Sequence, residues 1–187
     1  MNPLLNLIYS SKQITELNNL PEAFNSFFSS VFRSTPLTAN LPFQPNDYVP
    51  LFSSCYLTPN DVLAALLKVK PKYNSPDGIP GFFLKTFASL LVKPLTTIYN
   101  ESLLSAKLPL DWKHAIITPL YKGKGYSNDI TNYRPISCTS VTGKVLETLI
   151  KSRLLSHFLS NALLSNTQFG FLPSRSTTLN LLYTDHL

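Results

Sequence analysis

The chain carries only two cysteines, Cys55 and Cys138, and three histidines in 187 residues. No His or Cys stands at metal-ligand spacing from either cysteine, and the two form no close pair. A zinc module or a stapled secreted scaffold is therefore not expected, and a reducing intracellular compartment is. The opening MNPLLNLIYSS lacks a basic n-region and an apolar stretch long enough for a secretion signal. No apolar run approaches the roughly 20 residues that a bilayer demands. The expectation is a soluble protein inside a cell, in nucleus or cytoplasm, neither secreted nor membrane-bound. Acidic residues are also scarce, 10 against 16 Lys plus Arg. Residues 1–60 hold Lys12 and Arg33 against Glu16, Glu22 and Asp47, which leaves 14 bases and 7 acids downstream. That surplus suits a polyanionic partner such as nucleic acid, and equally an ordinary soluble basic surface.

What is present argues for packing. The hydrophobic fraction is 44% and the aromatic fraction 12%, too high for a disordered chain, and the length suffices for one domain with a real core. In PEAFNSFFSSVF, Ala23, Phe24, Phe27, Phe28, Val31 and Phe32 recur at helical spacing behind Pro21, which predicts a helix burying an aromatic face. The next stretch, STPLTANLPFQPNDYVP, is broken by Pro36, Pro42, Pro45 and Pro50 and reads as an extended connector. A boundary near residue 57 separates residues 1–57 from 58–187.

Thr58-Pro59-Asn60-Asp61 is a helix start, with a hydroxyl cap, proline at the first helical position and an acid three residues after the cap. Val62, Leu63, Leu66 and Leu67 supply its apolar face. In KVKPKYNSPDGIPG, Pro76 and Gly78 stand in turn-favoured places. Helices are expected over residues 80–92 and 94–106, separated by Pro94. HAIITPLY is β-branched enough for a strand, with Pro119 pointing to an edge, and Tyr133 to Thr139 is its expected partner. Together they predict a hairpin with a mobile tip at KGKGYSNDITN. A long helix follows from Ser140 to Ser160, and a last one begins near Ser176.

Gly123 and Gly125 allow close backbone approach, and Lys122 and Lys124 supply cations, as a phosphate-holding loop needs. The loop is not a P-loop, since GxxxxGK followed by Ser or Thr is absent. Arg134 is held extended by Pro135, and its guanidinium suits bidentate phosphate binding. The same arginine is also within sequence reach of Asp129 for a surface ion pair worth about 0–1 kcal/mol. Trp112 reads as a core anchor rather than a base-stacking platform.

The ordered blocks SPDGIPGFFLK, WKHAIITPLYKGKG, NYRPISCTSVTGKVLE and QFGFLPSRST resemble the amino-terminal half of the reverse transcriptases of non-LTR (LINE-like) retrotransposons. AFNSFFSSVF resembles the segment preceding the polymerase there, so the likeness runs from about residue 13 to the end. The resemblance implies an α+β fold, mostly helical with a β-hairpin, that supplies the fingers and the first part of the palm of a right-hand polymerase. It implies that Lys122, Lys124 and Arg134 contact the incoming deoxynucleoside triphosphate. It further implies that Asp77 and Gly78, and later Gln168, Gly170 and Arg175, lie near template RNA or an RNA–DNA hybrid. A turn role is the leading reading for Asp77 itself. In the later block the family often carries an arginine earlier than Arg175, where Leu172 and Pro173 stand here.

Polymerases align their reactants with two metal ions held by clustered carboxylates. The complete family enzyme uses Mg2+, and the resemblance implies that its metal-binding aspartates, including the Tyr-x-Asp-Asp box, lie further along than Leu187. Asp185 matches none of them. No catalytic or metal-binding residue is expected here, nor the endonuclease that precedes the polymerase, nor the rest of palm and thumb, and the chain alone should synthesise no DNA. The alternative reading is a stand-alone nucleic-acid-binding module or an inactive retroelement remnant.

Overall fold

The computed structural model describes residues 7–9, 12–14, 19–32, 55–71 and 75–184. In chain order the elements are β1 (Leu7–Tyr9), β2 (Lys12–Ile14), α1 (Leu20–Ser30), α2 (Pro59–Leu67), α3 (Gly81–Thr86), α4 (Ala88–Ser105), α5 (Leu110–Lys113), β3 (Ala115–Tyr121), β4 (Tyr133–Thr139), α6 (Val141–Ser160) and α7 (Thr177–Thr184). Helices therefore mix with antiparallel strand pairs, an α+β arrangement. Two compact units are built from interleaved segments: Met1–Gln44, Lys70–Thr86 and Leu108–Gly143 in the first, Pro45–Val69, Phe87–Lys107 and Lys144–Leu187 in the second. Among the described residues no helix is long and apolar enough to cross a membrane.

The first unit is organised by the β3–β4 hairpin, whose ladder runs from Ala115↔Thr139 to Tyr121↔Tyr133. The Lys122 amide extends it by donating to the Asn132 carbonyl at 2.8 Å. Bonded rungs alternate with non-bonded ones in an antiparallel pair, so the Pro119↔Pro135 rung, an odd number of steps from Lys122, is non-bonded. Both proline nitrogens face outward and no inter-strand bond is lost, which is how two prolines sit opposite each other in mid-ladder.

Side chains alternate across the ribbon. Tyr133 and its face-mates turn towards α1, where Leu20, Phe24 and Phe28, at i, i+4 and i+8, form a buried cluster with Ile130 and Tyr133. Phe24 meets the Tyr133 ring edge-on at 5.2 Å between centroids. Each fully buried apolar side chain of this size contributes roughly 1.5–3 kcal/mol, which accounts for the docking of α1. The expected aromatic face is shorter than its sequence pattern, because the helix stops at Ser30 and leaves Val31 and Phe32 exposed. The small β1–β2 pair, with Leu7 opposite Ile14, was not apparent from the sequence pattern. The connector at residues 34–50 lies outside the described residues.

The second unit centres on α2 and α4. Val62 and Leu66 of α2 are fully buried, as is Tyr99 of α4. The expected capping box forms: the Asp61 amide donates to Thr58 Oγ1 and the Thr58 amide to Asp61 Oδ2. Asn100 clamps the backbone of Leu57, accepting from its amide and donating to its carbonyl, both at 2.9 Å. Arg153 of α6 reaches the same Asp61 at 2.7 Å. The expected break at Pro94 falls at Phe87 instead, and α4 runs on through the proline. An interior proline costs about 3 kcal/mol. Burial of Leu95, Thr96 and Tyr99 in the turns that follow offsets that cost.

Candidate nucleotide and nucleic-acid contacts

Lys122, Lys124 and Arg134 all belong to the first unit and its hairpin. Arg134 stands directly opposite Leu120 on the ribbon face turned away from α1, together with Ile116, Thr118 and Ile136. Its side chain is exposed. No ion pair joins it to Asp129, because that carboxylate accepts instead from the Thr131 amide at 2.9 Å and hydroxyl at 2.7 Å. Arg134 is thus a cation on a braced strand, with its guanidinium open to an anion.

The loop joining the strands is tied down rather than mobile. Ile130 is fully buried, Tyr133 Oη donates to the Ser127 carbonyl at 2.7 Å, and Asn132 Nδ2 donates to the Tyr126 carbonyl at 3.0 Å. Tyr121 Oη donates to the Gly125 carbonyl. Burial, aided by the neighbouring Tyr121, pushes the Tyr133 phenol above its ordinary pKa. Lys122 Nζ donates to the Thr131 carbonyl at 2.7 Å. Lys124 makes no comparable bond and is exposed. Gly125 has φ +78, and a Cβ there would lie 2.5 Å from Asn132 Nδ2. Its glycine serves the folding of the loop on itself. Gly123, with φ +74, has open space around it.

The Ser75-Pro76-Asp77-Gly78 turn, also in the first unit, ends on an exposed Gly78 with φ +77. Asp77 Oδ1 accepts from the Ile79 amide at 3.0 Å and Oδ2 from the Ser140 hydroxyl at 2.7 Å. Partial burial works against its ionised form, but the hydroxyls of Ser75 and Ser140 and the Ile79 amide outweigh it and hold the carboxyl below its usual range. Trp112 is half-buried, with its Cβ 3.3 Å from where a Cβ would stand on Gly143.

Gln168, Gly170 and Arg175 belong to the second unit. The segment is exposed and sharply bent, with the non-glycine residues Phe171 and Ser174 at φ 64 and 58. Gln168 Nε2 donates to the Gly170 carbonyl at 3.0 Å, and the Arg175 guanidinium lies 4.7 Å from the Phe169 ring centroid. Phe169 in turn contacts Tyr183. As expected, α7 begins beside Ser176, whose hydroxyl accepts from the Leu179 amide at 3.2 Å. Asp185 lies outside the described residues.

Asp61, Asp77 and Asp129 accept internal bonds, and among the described residues no group of three or more His, Cys, Asp or Glu side chains converges that could hold a metal ion.

Comparison with known proteins gives this geometry its context. The chain is 30% identical over 145 residues to a probable RNA-directed DNA polymerase from transposon BS of Drosophila melanogaster, covering 76% of this chain and 15% of that protein. It is 29% identical over 175 residues to the RNA-directed DNA polymerase from mobile element jockey of the same fly, covering 91% of this chain and 19% of the relative. A third relative is the retrovirus-related Pol polyprotein from type-1 retrotransposable element R1 of Bradysia coprophila, 32% identical over 107 residues, or 57% of this chain and 11% of that one. No protein-family model matches the chain. All three relatives are polymerases or polyproteins of mobile elements, and that defines the class. The chain belongs to the reverse transcriptases of non-LTR, LINE-like retrotransposons. It spans 15% and 19% of the length of the first two relatives.

Proposed function

We propose that this chain forms the fingers and the first part of the palm of a right-hand RNA-directed DNA polymerase, with residues 1–57 preceding the polymerase and 58–187 beginning it. In this reading Arg134 holds phosphate oxygens of the incoming deoxynucleoside triphosphate, and Lys122 and Lys124 join it from the adjoining loop. Gly78 with the Asp77 turn, and Gln168, Gly170 and Arg175, meet template RNA or the RNA–DNA hybrid. The chain works inside the cell. We assign it no catalytic residue. Mg2+, which in the complete enzyme would stabilise the attacking and leaving oxygens, is assigned to carboxylates other than those described.

The observation that supports this reading best is the state of Arg134: exposed, free of Asp129, and carried on a ladder strand between Tyr133 and Pro135. A guanidinium braced in this way loses little freedom when it binds a phosphate bidentately.

Arg134→Ala, made in a polymerase assembled with this segment, should raise the nucleotide KM with little change in template affinity. An unchanged KM and rate would sink the assignment. Retention of RNA on filters should also fall as salt rises, because phosphate contacts release counterions.

A further inference from the structure

We infer that Asp77 is a positioning residue, which anchors the Ser75–Gly78 turn to the first turn of α6 and so presents the Gly78 backbone to single-stranded RNA. The inference rests on the proposal that this turn meets the template, and it assigns the carboxylate a role without RNA contact.

Two links tie the turn to α6. In the first, a relay, the Ser140 hydroxyl donates to Asp77 Oδ2 at 2.7 Å, while Ser140 Oγ accepts from the Gly143 amide at 3.2 Å. In the second, Ser75 Oγ of the same turn accepts directly from the Val141 amide at 2.9 Å. Both links end on amides of the first helical turn, which have no partner within the helix. The negative charge also lies at the positive end of the α6 dipole, where it is favoured.

Each oxygen of the carboxylate already accepts an internal bond. Oδ1 takes the Ile79 amide and Oδ2 the Ser140 hydroxyl, whereas Gly78 between them is exposed and no atom lies within 4 Å of its would-be Cβ. An anionic side chain facing a polyanion would in any case repel it. The turn is thus fastened on its Asp77 side and open on its Gly78 side.

The test is filter retention of a single-stranded RNA by this chain, at two salt concentrations, for wild type, Asp77→Asn, Ser140→Ala, Ser140→Thr and the Asp77→Asn/Ser140→Ala pair. Amide hydrogen exchange at Val141 and Gly143 is read on the same proteins. Asp77→Asn and Ser140→Ala should each weaken retention by about tenfold or less, the scale of one charge-assisted hydrogen bond. The double variant should bind no worse than either single one, Ser140→Thr should bind as wild type does, and the salt slope should stay the same. Exchange at Val141 and Gly143 should quicken only in the weakened variants. Removing a negative charge should by itself tighten RNA binding. Tighter binding by Asp77→Asn with Ser140→Ala unchanged would therefore overturn the inference. So would weaker binding by Asp77→Asn alone, which would mark a direct contact. If wild type fails to retain RNA at low salt, the template reading fails and this role with it. If wild type binds and both single variants match it, this inference alone fails.

Discussion

Lys122 Nζ donates to the Thr131 carbonyl at 2.7 Å, across the loop that joins β3 to β4. With the Lys122 amide on the Asn132 carbonyl, one residue closes the hairpin end through both its backbone and its side chain. The neighbouring Lys124 has no such task. The two lysines, alike in sequence, should therefore behave differently. Lys122→Met should lower stability by about 0.5–1.5 kcal/mol through the lost bond, whereas Lys124→Met should melt as wild type does and lose affinity for dATP. Thermal melts and dATP titrations of the two variants decide this, and equal melting temperatures would refute it.

Gly125 and Gly123 share a left-handed backbone but not their surroundings. Alanine at Gly123 meets only the conformational penalty, about 1 kcal/mol. At Gly125 the new Cβ would also stand 2.5 Å from Asn132 Nδ2 and displace the side chain that holds Tyr126. Gly125→Ala should cost clearly more than Gly123→Ala in urea unfolding midpoints.

Asp77 makes stability fall in acid. Its carboxyl sits below the ordinary 3.8 in the folded chain, so the folded state binds the proton less readily than the unfolded state. The contribution is complete above the unfolded pKa and is lost as pH falls through the lower folded value. Wild type should thus be more stable than Asp77→Asn at neutral pH, and the gap should narrow as pH falls below the ordinary carboxylate value. A gap that holds constant in urea titrations across that range would remove the carboxylate from the account.

Phe24 and Phe32 differ in the opposite way from their sequence likeness. Phe24 is 6% exposed against Tyr133, and Phe32 is 78% exposed. Phe24→Ala should destabilise by about 3–5 kcal/mol, while Phe32→Ala should stay within about 0.5 kcal/mol. Similar losses at both positions would show that α1 continues past Ser30 in solution.

Elements with a local signature were legible in the sequence. The capping box at Thr58, the helix behind Pro21 and the start of α7 each follow from residues within one or two turns, and the β3–β4 pairing from two strand-like runs on either side of one loop. Pro94 was misleading, because propensity weighs one residue while α4 is held by packing on α2, whose last residue lies more than 25 positions before the proline. The hairpin tip misled for the same reason. Two glycines and two lysines suggest freedom, but Ile130 and Tyr133 are held by α1, which lies far upstream. Of the candidate site, Arg134 was readable as a stiff cation. That Asp129 turns to Thr131 rather than to Arg134 follows from loop geometry, which residue type alone does not specify.

The paired prolines of the hairpin have one more consequence. A two-stranded ribbon has two open edges, and each could template a further strand from another molecule. At the Pro119↔Pro135 rung, neither edge has an amide to offer, so an incoming strand finds a missing donor halfway along on either side. The ribbon is thereby protected from lateral growth into fibrils, even though Ile116, Leu120 and Ile136 lie exposed on its face.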